Sequence, residues 1–326
     1  MTKRKNRAPQ IPAQPSRSGN SSPKGILELD RFTESTVAKW NERSQDLNEL
    51  HDVLYFHLEP ERRRHRFEIL RAIQQTPPLS VNIDQWVRII DYRWTLKPLS
   101  AAGSLTYIGG RFNAGRELNR NTLDPWPALY IAEDYPTAYR EKFQLPISDT
   151  RDGLTTNDLA LAGGKSHSTI ILNGKLHRVF DLSVSSLEGV AKILRKIKMP
   201  QRAVQLRAKL NFQNNQQVMI RTGKQLFDSA VIHNWRVFPV QFGLPSSSQL
   251  LADLVRDAGF EGIIYPSTKG LGKCIALFMQ NLDSKSWIEL ADTAVPDSAI
   301  TRLDTNSVGT LSGWDDLGMV DPDYNL

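Results

Sequence analysis

The chain has 326 residues, of which 40% are hydrophobic, and a formal net charge of +6. This size and apolar content allow one main domain with additions. The single cysteine excludes an internal disulfide framework and is typical of a reducing compartment. No apolar run reaches the roughly eighteen residues of a membrane span, and the basic N-terminus lacks the apolar segment of a secretory signal. We therefore expect a cytoplasmic protein that does not contact a membrane.

The N-terminal tail, residues 1–25, contains six basic side chains and no acidic one, so it carries a charge equal to that of the whole chain. Its Pro, Ser, Gly and Asn residues predict disorder. A solvated tail is one interpretation, and a contact with nucleic acid or other anions is the alternative. Residues 26–78 then show apolar positions at helical spacing and end at Thr76-Pro77-Pro78, which predicts a helical N-terminal module.

The segment of residues 86–94 is rich in aromatic and β-branched side chains and predicts a strand that carries Arg93. The Arg93 side chain either enters a cleft lined by the sheet or lies exposed on a strand edge. The Gly-Gly-Arg-Phe-Asn turn of residues 109–113 follows. Its glycines, including Gly110, allow positive φ and close approach of a ligand, and Arg111 offers a planar fork for a pyrophosphate. A hairpin turn with a solvated Arg111 is the alternative.

A short apolar strand is predicted at Ala128–Ala132 and contains Tyr130. Asp134 is a helix cap, Pro136 fits the first helical turn, and the helix continues through Phe143. Glu141 then projects from a helix beside the end of a strand. A carboxylate there can stabilise positive charge on a sugar while a glycosidic bond breaks. A solvated glutamate between two basic neighbours is the alternative.

Residues 186–224 form a basic segment. They contain nine basic side chains and one acidic one, Glu188, which gives a net charge of +8 over 39 residues. Apolar positions predict two short helices broken at Pro200. Three interpretations stay open: a solvated face, a rim that attracts a phosphate or another anionic ligand, and a patch for nucleic acid or an acidic protein partner. Few aromatic residues lie among these charges, which disfavours single-strand binding.

The last predicted motif is a pair of strands at residues 262–266 and 274–278, with Ser267 where the first strand ends. A serine at this position can bind a nicotinamide amide or a ribose hydroxyl, and a plain turn serine is the alternative. Cys274 precedes an apolar run, which favours buried packing over a nucleophile. No His and Cys spacing predicts a metal site. Residues 293–326 form an acidic C-terminal tail with a net charge of −5.

Together these motifs resemble the RES domain, which takes its name from Arg, Glu and Ser. The resemblance covers roughly residues 86–292. It also includes the Phe180-Asp181-Leu182 strand and the helix of residues 247–258 that leads into Gly259. It implies an α+β fold with a mixed, split β-sheet like that of ADP-ribosyltransferases, here with a helical N-terminal addition. The domains are then a tail (1–25), a helical module (26–78), a RES-like NAD-binding catalytic domain (79–292) and an acidic tail (293–326). Residues 183–242 exceed a minimal RES domain, and we name them the basic insertion.

The resemblance also implies roles for individual residues. Arg93 and Arg111 match the family's NAD-binding arginines, Tyr130 its pocket tyrosine, Glu141 its glutamate and Ser267 its serine. Arg93, Glu141 and Ser267 are then the catalytic set, and Gly110 joins the NAD-binding residues. Phe112 stands where tryptophan is commoner in the family and, like Trp94, is expected to keep an aromatic surface that stacks on nicotinamide.

The implied function is cleavage of the nicotinamide–ribose bond of NAD, which is a substrate here, without a metal. Phosphate as co-substrate makes the enzyme an NAD phosphorylase, and water makes it an NAD glycohydrolase. As a toxin-like protein, it would have a helix-turn-helix (Xre-type) antitoxin as partner. Two alternatives are ADP-ribosyl transfer to a protein or nucleic acid, and a non-catalytic protein that binds nucleic acid through its basic segments.

Overall fold

The computed structural model of the chain describes residues 34–145, 166–212, 219–291 and 298–316. The predicted disordered tail and residues 317–326 of the predicted acidic tail lie outside the described residues. The chain divides into two compact units, Met1–Val53 with Gln201–Phe212, and Leu54–Pro200 with Gln213–Leu326.

The described part of the first unit consists of the start of one helix and a second, short helix. Basic residues of the short helix pair with acidic residues of the longer one: Arg202 Nε lies 2.5 Å from Glu49 Oε1, and Lys209 Nζ lies 2.8 Å from Asp46 Oδ2. Leu50 and Leu206 are buried. Ion pairs at the surface contribute little because solvent screens them, so the buried leucines stabilise this unit more than its charges do.

The second unit contains helices as well as a sheet, and one of these helices begins at the cap that the sequence predicted. In chain order the α-helices of both units are α1 (Glu34–Arg64), α2 (Arg66–Gln74), α3 (Tyr135–Phe143), α4 (Val184–Leu194), α5 (Gln201–Lys209), α6 (Gly223–Phe227), α7 (Val237–Phe242), α8 (Ser247–Asp257) and α9 (Val308–Leu311). Asp134 caps α3 by accepting a hydrogen bond from Thr137 N at 2.7 Å. The predicted cap and the predicted end of this helix at Phe143 are therefore confirmed.

The strands form one large mixed sheet and a small hairpin. They are β1 (Leu79–Asp91), β2 (Gly109–Gly110), β3 (Asn113–Ala114), β4 (Ala128–Ala132), β5 (His167–Asp181), β6 (Gly262–Pro266), β7 (Lys273–Phe278), β8 (Trp287–Leu290) and β9 (Arg302–Leu303). The large sheet has the order β1-β4-β7-β6-β5-β8-β9, and β1 also pairs with β5. Within it, β5 and β6 run parallel and the other described pairings are antiparallel. The predicted α+β fold class is confirmed.

The core lies on both faces of this sheet, because alternate residues of the central strands enter different clusters. Along β7, Cys274, Ala276 and Phe278 pack with one cluster, whereas Ile275 and Leu277 pack with the other. Side chains alternate between the two faces of a strand. The predicted burial of Cys274 is confirmed.

Two local predictions need correction. Arg93 does not lie on a strand: β1 ends at Asp91, and Tyr92–Trp94 form a short 3-10 turn. Phe112 offers no stacking surface, since it is fully buried and its ring centroid lies 4.6 Å from that of Tyr265. Both errors have one cause: aromatic residues favour strands and ligand surfaces statistically, and tertiary packing decides each case.

The basic insertion contains the two predicted helices, α4 and α5, on either side of Pro200. Much of its charge is paired. Five of its ten basic residues form ion pairs with carboxylates, namely Arg195, Lys196, Arg202, Lys209 and Lys224. Arg221 donates instead to backbone carbonyls, with 2.7 Å from its Nη1 to Ile197 O. This pairing disfavours a continuous free cationic patch for nucleic acid.

Candidate active site

A cavity of about 740 Å³ opens beside the carboxyl end of β1. Its walls come from β1, the 3-10 turn, the glycine turn, β4, α3 and the segment between Ile232 and α7. This volume lies in the range of small-molecule sites. The predicted residues Arg93, Gly110, Arg111, Tyr130 and Glu141 all line it.

Glu141 and Ser267 meet at this cavity although they lie 126 residues apart in the chain. Ser267 Oγ donates a hydrogen bond of 2.6 Å to Glu141 Oε1. The same oxygen accepts hydrogen bonds from Lys269 N at 3.0 Å and Gly270 N at 2.8 Å. A hydroxyl has one proton and two lone pairs, so the hydrogen-bonding capacity of Ser267 is fully used. Ser267 therefore orients the Glu141 carboxylate and lies behind the cavity wall, while its direct contact with a ligand stays a prediction.

Two glycines bring the Ser267 loop close to α3. A Cβ atom at Gly270 would lie 2.4 Å from Thr137 Oγ1, and one at Gly272 would lie 2.6 Å from Asp134 Oδ2. In addition, Gly272 N donates to Thr137 Oγ1 at 3.1 Å. Larger residues would push the loop away from the first turn of α3. The Ser267–Glu141 hydrogen bond thus depends on contacts at the opposite end of the helix.

The glycine turn is braced by Tyr130. Its hydroxyl accepts a hydrogen bond from Phe112 N and donates one to Asn113 Oδ1, both at 2.9 Å. A Cβ atom at Gly110 would lie 2.5 Å from the Tyr130 hydroxyl oxygen, so a glycine is needed there. Burial raises the pKa of Tyr130 well above its usual value, and the hydroxyl stays protonated. Tyr130 shapes this wall through its hydroxyl, and ring stacking on a ligand stays a prediction.

Arg111 points from the glycine turn toward the basic insertion. Its Nη1 donates to Val231 O at 2.7 Å and to Ala230 O at 3.2 Å, at the end of a π-helical turn, Asp228–Ile232. Carbonyls at a helix end are otherwise unsatisfied and attract cations. Arg111 therefore attaches the insertion to the cavity wall, and its predicted contact with a pyrophosphate is not tested by these bonds.

The two arginines near β1 differ in their surroundings. Arg93 lies in the 3-10 turn, 3.8 Å from Asp91 through Nη2, and its side chain is 44% exposed. Arg88, which the sequence prediction passed over, lies within β1 and lines the cavity. It donates to Ser100 O at 2.8 Å and to Tyr130 O at 3.1 Å, and its buried Nε makes no hydrogen bond. A charged residue inside an apolar strand is a signal that was available in the sequence.

The cavity carries an excess of positive charge. Its ionisable Arg, Lys, Asp and Glu residues are Arg88, Asp91, Arg93, Arg111, Glu141, Lys142 and Arg236, a net charge of +3. Asp91 pairs with Lys142 at 2.7 Å. Within the described residues, no carboxylate forms an ion pair with Arg88, Arg111 or Arg236. Burial lowers the pKa of Arg88 to about 10. Buried charges are costly without a partner, so this arrangement favours an anionic ligand.

The described residues contain no group of three or more His, Cys, Asp or Glu side chains placed to hold a metal ion. They also contain no helix with the length and apolar character needed to cross a membrane.

No protein-family model and no curated protein sequence matches the chain. Among solved structures, it is similar to a chain of the MbcT–MbcA toxin–antitoxin complex of M. tuberculosis, with 15% identity and a TM-score of 0.39. The similarity covers 69% of this chain and 90% of that one. At this TM-score the likeness carries no argument about fold or activity.

Proposed function

We propose that this chain is a RES-domain enzyme that cleaves the nicotinamide–ribose bond of NAD. The observation that carries the proposal is the Glu141 carboxylate, oriented by Ser267, in a cavity with three arginines that form no ion pair within the described residues. NAD combines the two features that such a cavity would recognise, an anionic pyrophosphate and a ribose that becomes cationic as its glycosidic bond breaks. The proposal includes the ADP-ribosyltransferase-like character of the mixed sheet.

In the proposed mechanism, arginines bind the pyrophosphate, and Glu141 lies beside the ribose that carries nicotinamide. The bond between ribose C1′ and the nicotinamide nitrogen breaks, and its electron pair leaves with nicotinamide, which becomes neutral. Glu141 stabilises the positive charge that develops on the ribose. An oxygen of phosphate or water then bonds to C1′ and releases a proton to solvent. Of the predicted catalytic set, we assign the stabilisation of the ribose to Glu141 and the orientation of Glu141 to Ser267. Arg93 is more exposed than Arg88, Arg111 and Arg236.

The test of this proposal is product analysis. Purified protein is incubated with NAD, with and without inorganic phosphate, and the products are resolved by mass. Nicotinamide with phosphate-dependent ADP-ribose phosphate identifies a phosphorylase, and nicotinamide with ADP-ribose identifies a glycohydrolase. Label from adenine-labelled NAD that stays on a macromolecule identifies ADP-ribosyl transfer. Intact NAD under all these conditions contradicts the proposal.

The toxin-like role and the helix-turn-helix antitoxin also belong to this proposal, and they rest on the resemblance of the motifs to the RES family. Expression of the chain in bacteria, with NAD measured in extracts, tests the toxin-like role. We expect growth arrest together with a fall in NAD. Growth arrest with unchanged NAD contradicts it.

Replacing Ser267 with alanine tests the support of Glu141. A hydrogen bond to a charged group contributes about 1.5–3 kcal/mol, so we expect kcat for NAD cleavage to fall at least about tenfold. KM for NAD is expected to change little, because Ser267 does not line the cavity. Steady-state kinetics measure both constants. Thr268→Ala, which changes the next residue, is the control. A raised KM with unchanged kcat would instead indicate direct contact between Ser267 and NAD.

Replacing Arg88 with methionine tests the buried guanidinium. We expect KM for NAD to rise about ten- to hundredfold, the scale of a lost hydrogen bond to a charged group. The free energy of unfolding is expected to change little, since removal of an unpaired buried charge offsets the lost hydrogen bonds to Ser100 O and Tyr130 O. Kinetics and urea denaturation measure the two quantities. Exposed Arg116→Met is the control, and an unchanged KM would remove Arg88 from the binding site.

A further inference from the structure

The basic insertion supplies one wall of the cavity through two neighbouring residues, Trp235 and Arg236. They lie between the π-helical turn and α7. The Arg236 guanidinium stacks over the Trp235 ring, 4.7 Å from its centroid. Trp235 is buried and Arg236 is half-buried. A planar guanidinium on a buried aromatic ring has a fixed orientation, which prepares it for ligand binding.

A short chain of hydrogen bonds connects Arg236 to the helix of Glu141. Arg236 Nη1 donates to Gln144 Oε1 at 3.0 Å, and Gln144 Nε2 donates to Glu141 O at 2.6 Å. Gln144 ends α3 in the left-handed conformation, with a φ of 59°. The amide of Gln144 thus holds Arg236 beside the turn that carries the Glu141 carboxylate.

Arg111 fixes the same segment from the other side. Its hydrogen bonds to Ala230 O and Val231 O lie five to six residues before Arg236 in the chain. Burial and, after it, the charge of Arg111 lower the pKa of Arg236. Glu141 acts on Arg236 in the opposite direction, although no ion pair joins them among the described residues. Both guanidiniums line the cavity and neither forms an ion pair within the described residues, so a bound anion would stabilise them.

We infer that Arg236 is a substrate-binding residue that the insertion adds to the cavity, and that it binds a phosphate group next to the reacting ribose. Arg111 has a second role in this arrangement, as a positioning residue that attaches the Trp235–Arg236 segment to the cavity wall. The inference rests on the proposed function for the identity of the ribose. The phosphate group belongs either to the pyrophosphate of NAD or to free inorganic phosphate, and the two sources share the same chemistry.

Binding experiments test the inference without turnover. Glu141→Gln protein and the Glu141→Gln, Arg236→Gln double variant are titrated calorimetrically with ADP and, separately, with inorganic phosphate. We expect at least one ligand to bind the double variant about tenfold or more weakly, the scale of one hydrogen bond to a charged group. Weaker binding of ADP assigns Arg236 to the pyrophosphate, and weaker binding of phosphate alone assigns it to the acceptor. Unchanged affinity for both ligands overturns the inference.

Two further variants separate binding from folding. Arg120→Gln removes an exposed arginine outside the cavity wall and is expected to leave both affinities unchanged. Arg236→Lys keeps the positive charge and is expected to bind more tightly than Arg236→Gln. Equal losses in the Lys and Gln variants, with lowered melting temperatures, would overturn the inference in favour of a structural role.

The outcome for NAD cleavage is independent of these titrations. Wild-type protein that leaves NAD intact, but loses ADP or phosphate binding on Arg236→Gln substitution, would refute the proposed function and support the anion site. The opposite result would be that Arg236→Gln protein cleaves NAD with unchanged kinetic constants and binds ADP and phosphate with unchanged affinities. It would support the proposed function and overturn the anion site.

Discussion

Glu141→Gln is expected to lower the turnover of NAD at least about a hundredfold, the scale of removing one transition-state stabiliser. The amide keeps the size of the side chain and can still accept a hydrogen bond from Ser267, but it lacks the negative charge that stabilises a cationic ribose. KM for NAD is expected to change much less than kcat, since this charge acts mainly when the glycosidic bond breaks. Release of nicotinamide, measured under steady-state conditions, gives both constants.

The matched control for this variant is Glu117→Gln, which neutralises an exposed glutamate outside the cavity wall. It is expected to retain wild-type turnover. Thermal unfolding of both variants checks that the fold is intact. Turnover in Glu141→Gln protein within a fewfold of wild type would remove Glu141 from the mechanism, and the Ser267–Glu141 pair would then be a structural contact.

The second large effect concerns stability. Glu261 precedes β6 and is fully buried. Its carboxylate accepts hydrogen bonds from the backbone amides of His177, Arg178 and Asp283 and from Ser286 Oγ. The distances are 2.7 Å from Arg178 N, 3.1 Å from Asp283 N and 3.0 Å from Ser286 Oγ. One side chain therefore satisfies donors from β5 and from the segment before β8.

Glu261→Ala is expected to lower the free energy of unfolding by about 3–5 kcal/mol, because buried donors lose their acceptor and a cavity remains. Urea denaturation measures this loss. The control is Glu289→Ala, which breaks a surface ion pair of 2.7 Å with Arg302 and is expected to cost less than about 1 kcal/mol. A loss below about 1 kcal/mol for Glu261→Ala would mean that water replaces the carboxylate at these donors.

The basic insertion contributes to the cavity more clearly than to a surface for nucleic acid. Its charge suggested a surface for nucleic acid, but most of its basic residues pair with carboxylates or carbonyls elsewhere in their own unit. Arg236, which forms no ion pair with a carboxylate among the described residues, lies in the cavity instead. On this basis we expect the insertion to affect ligand binding more than nucleic-acid binding.

Local sequence signals predicted several parts of the structure. The cap at Asp134, the helix through Phe143 and the paired strands around Ser267 all followed from neighbours within a few residues. Such features depend on backbone conformation and short-range hydrogen bonds, which adjacent residue types determine. The α+β fold class was an implication of the resemblance of these motifs to a known family.

Tertiary contacts decided the rest. The predicted strand extended beyond Asp91 because of its aromatic residues, and it therefore included Arg93. In the structure β1 ends at Asp91, so Arg88 lies on the strand beside the cavity and Arg93 does not. Arg236 lines the cavity, and Arg111 donates to carbonyls 119 and 120 residues farther along the chain, close to Arg236 in sequence. No local pattern in the insertion signals that contact.

Ser267 shows most clearly which features the sequence determined and which features the tertiary structure decided. The sequence by itself determined that a serine follows β6 and that a glutamate projects from α3. Only the tertiary structure brought the hydroxyl within 2.6 Å of the Glu141 carboxylate and used its two lone pairs on Lys269 N and Gly270 N. The physical reason is that hydrogen bonds require atoms within about 3 Å, and placement at that precision across 126 residues depends on the packed sheet and helix together.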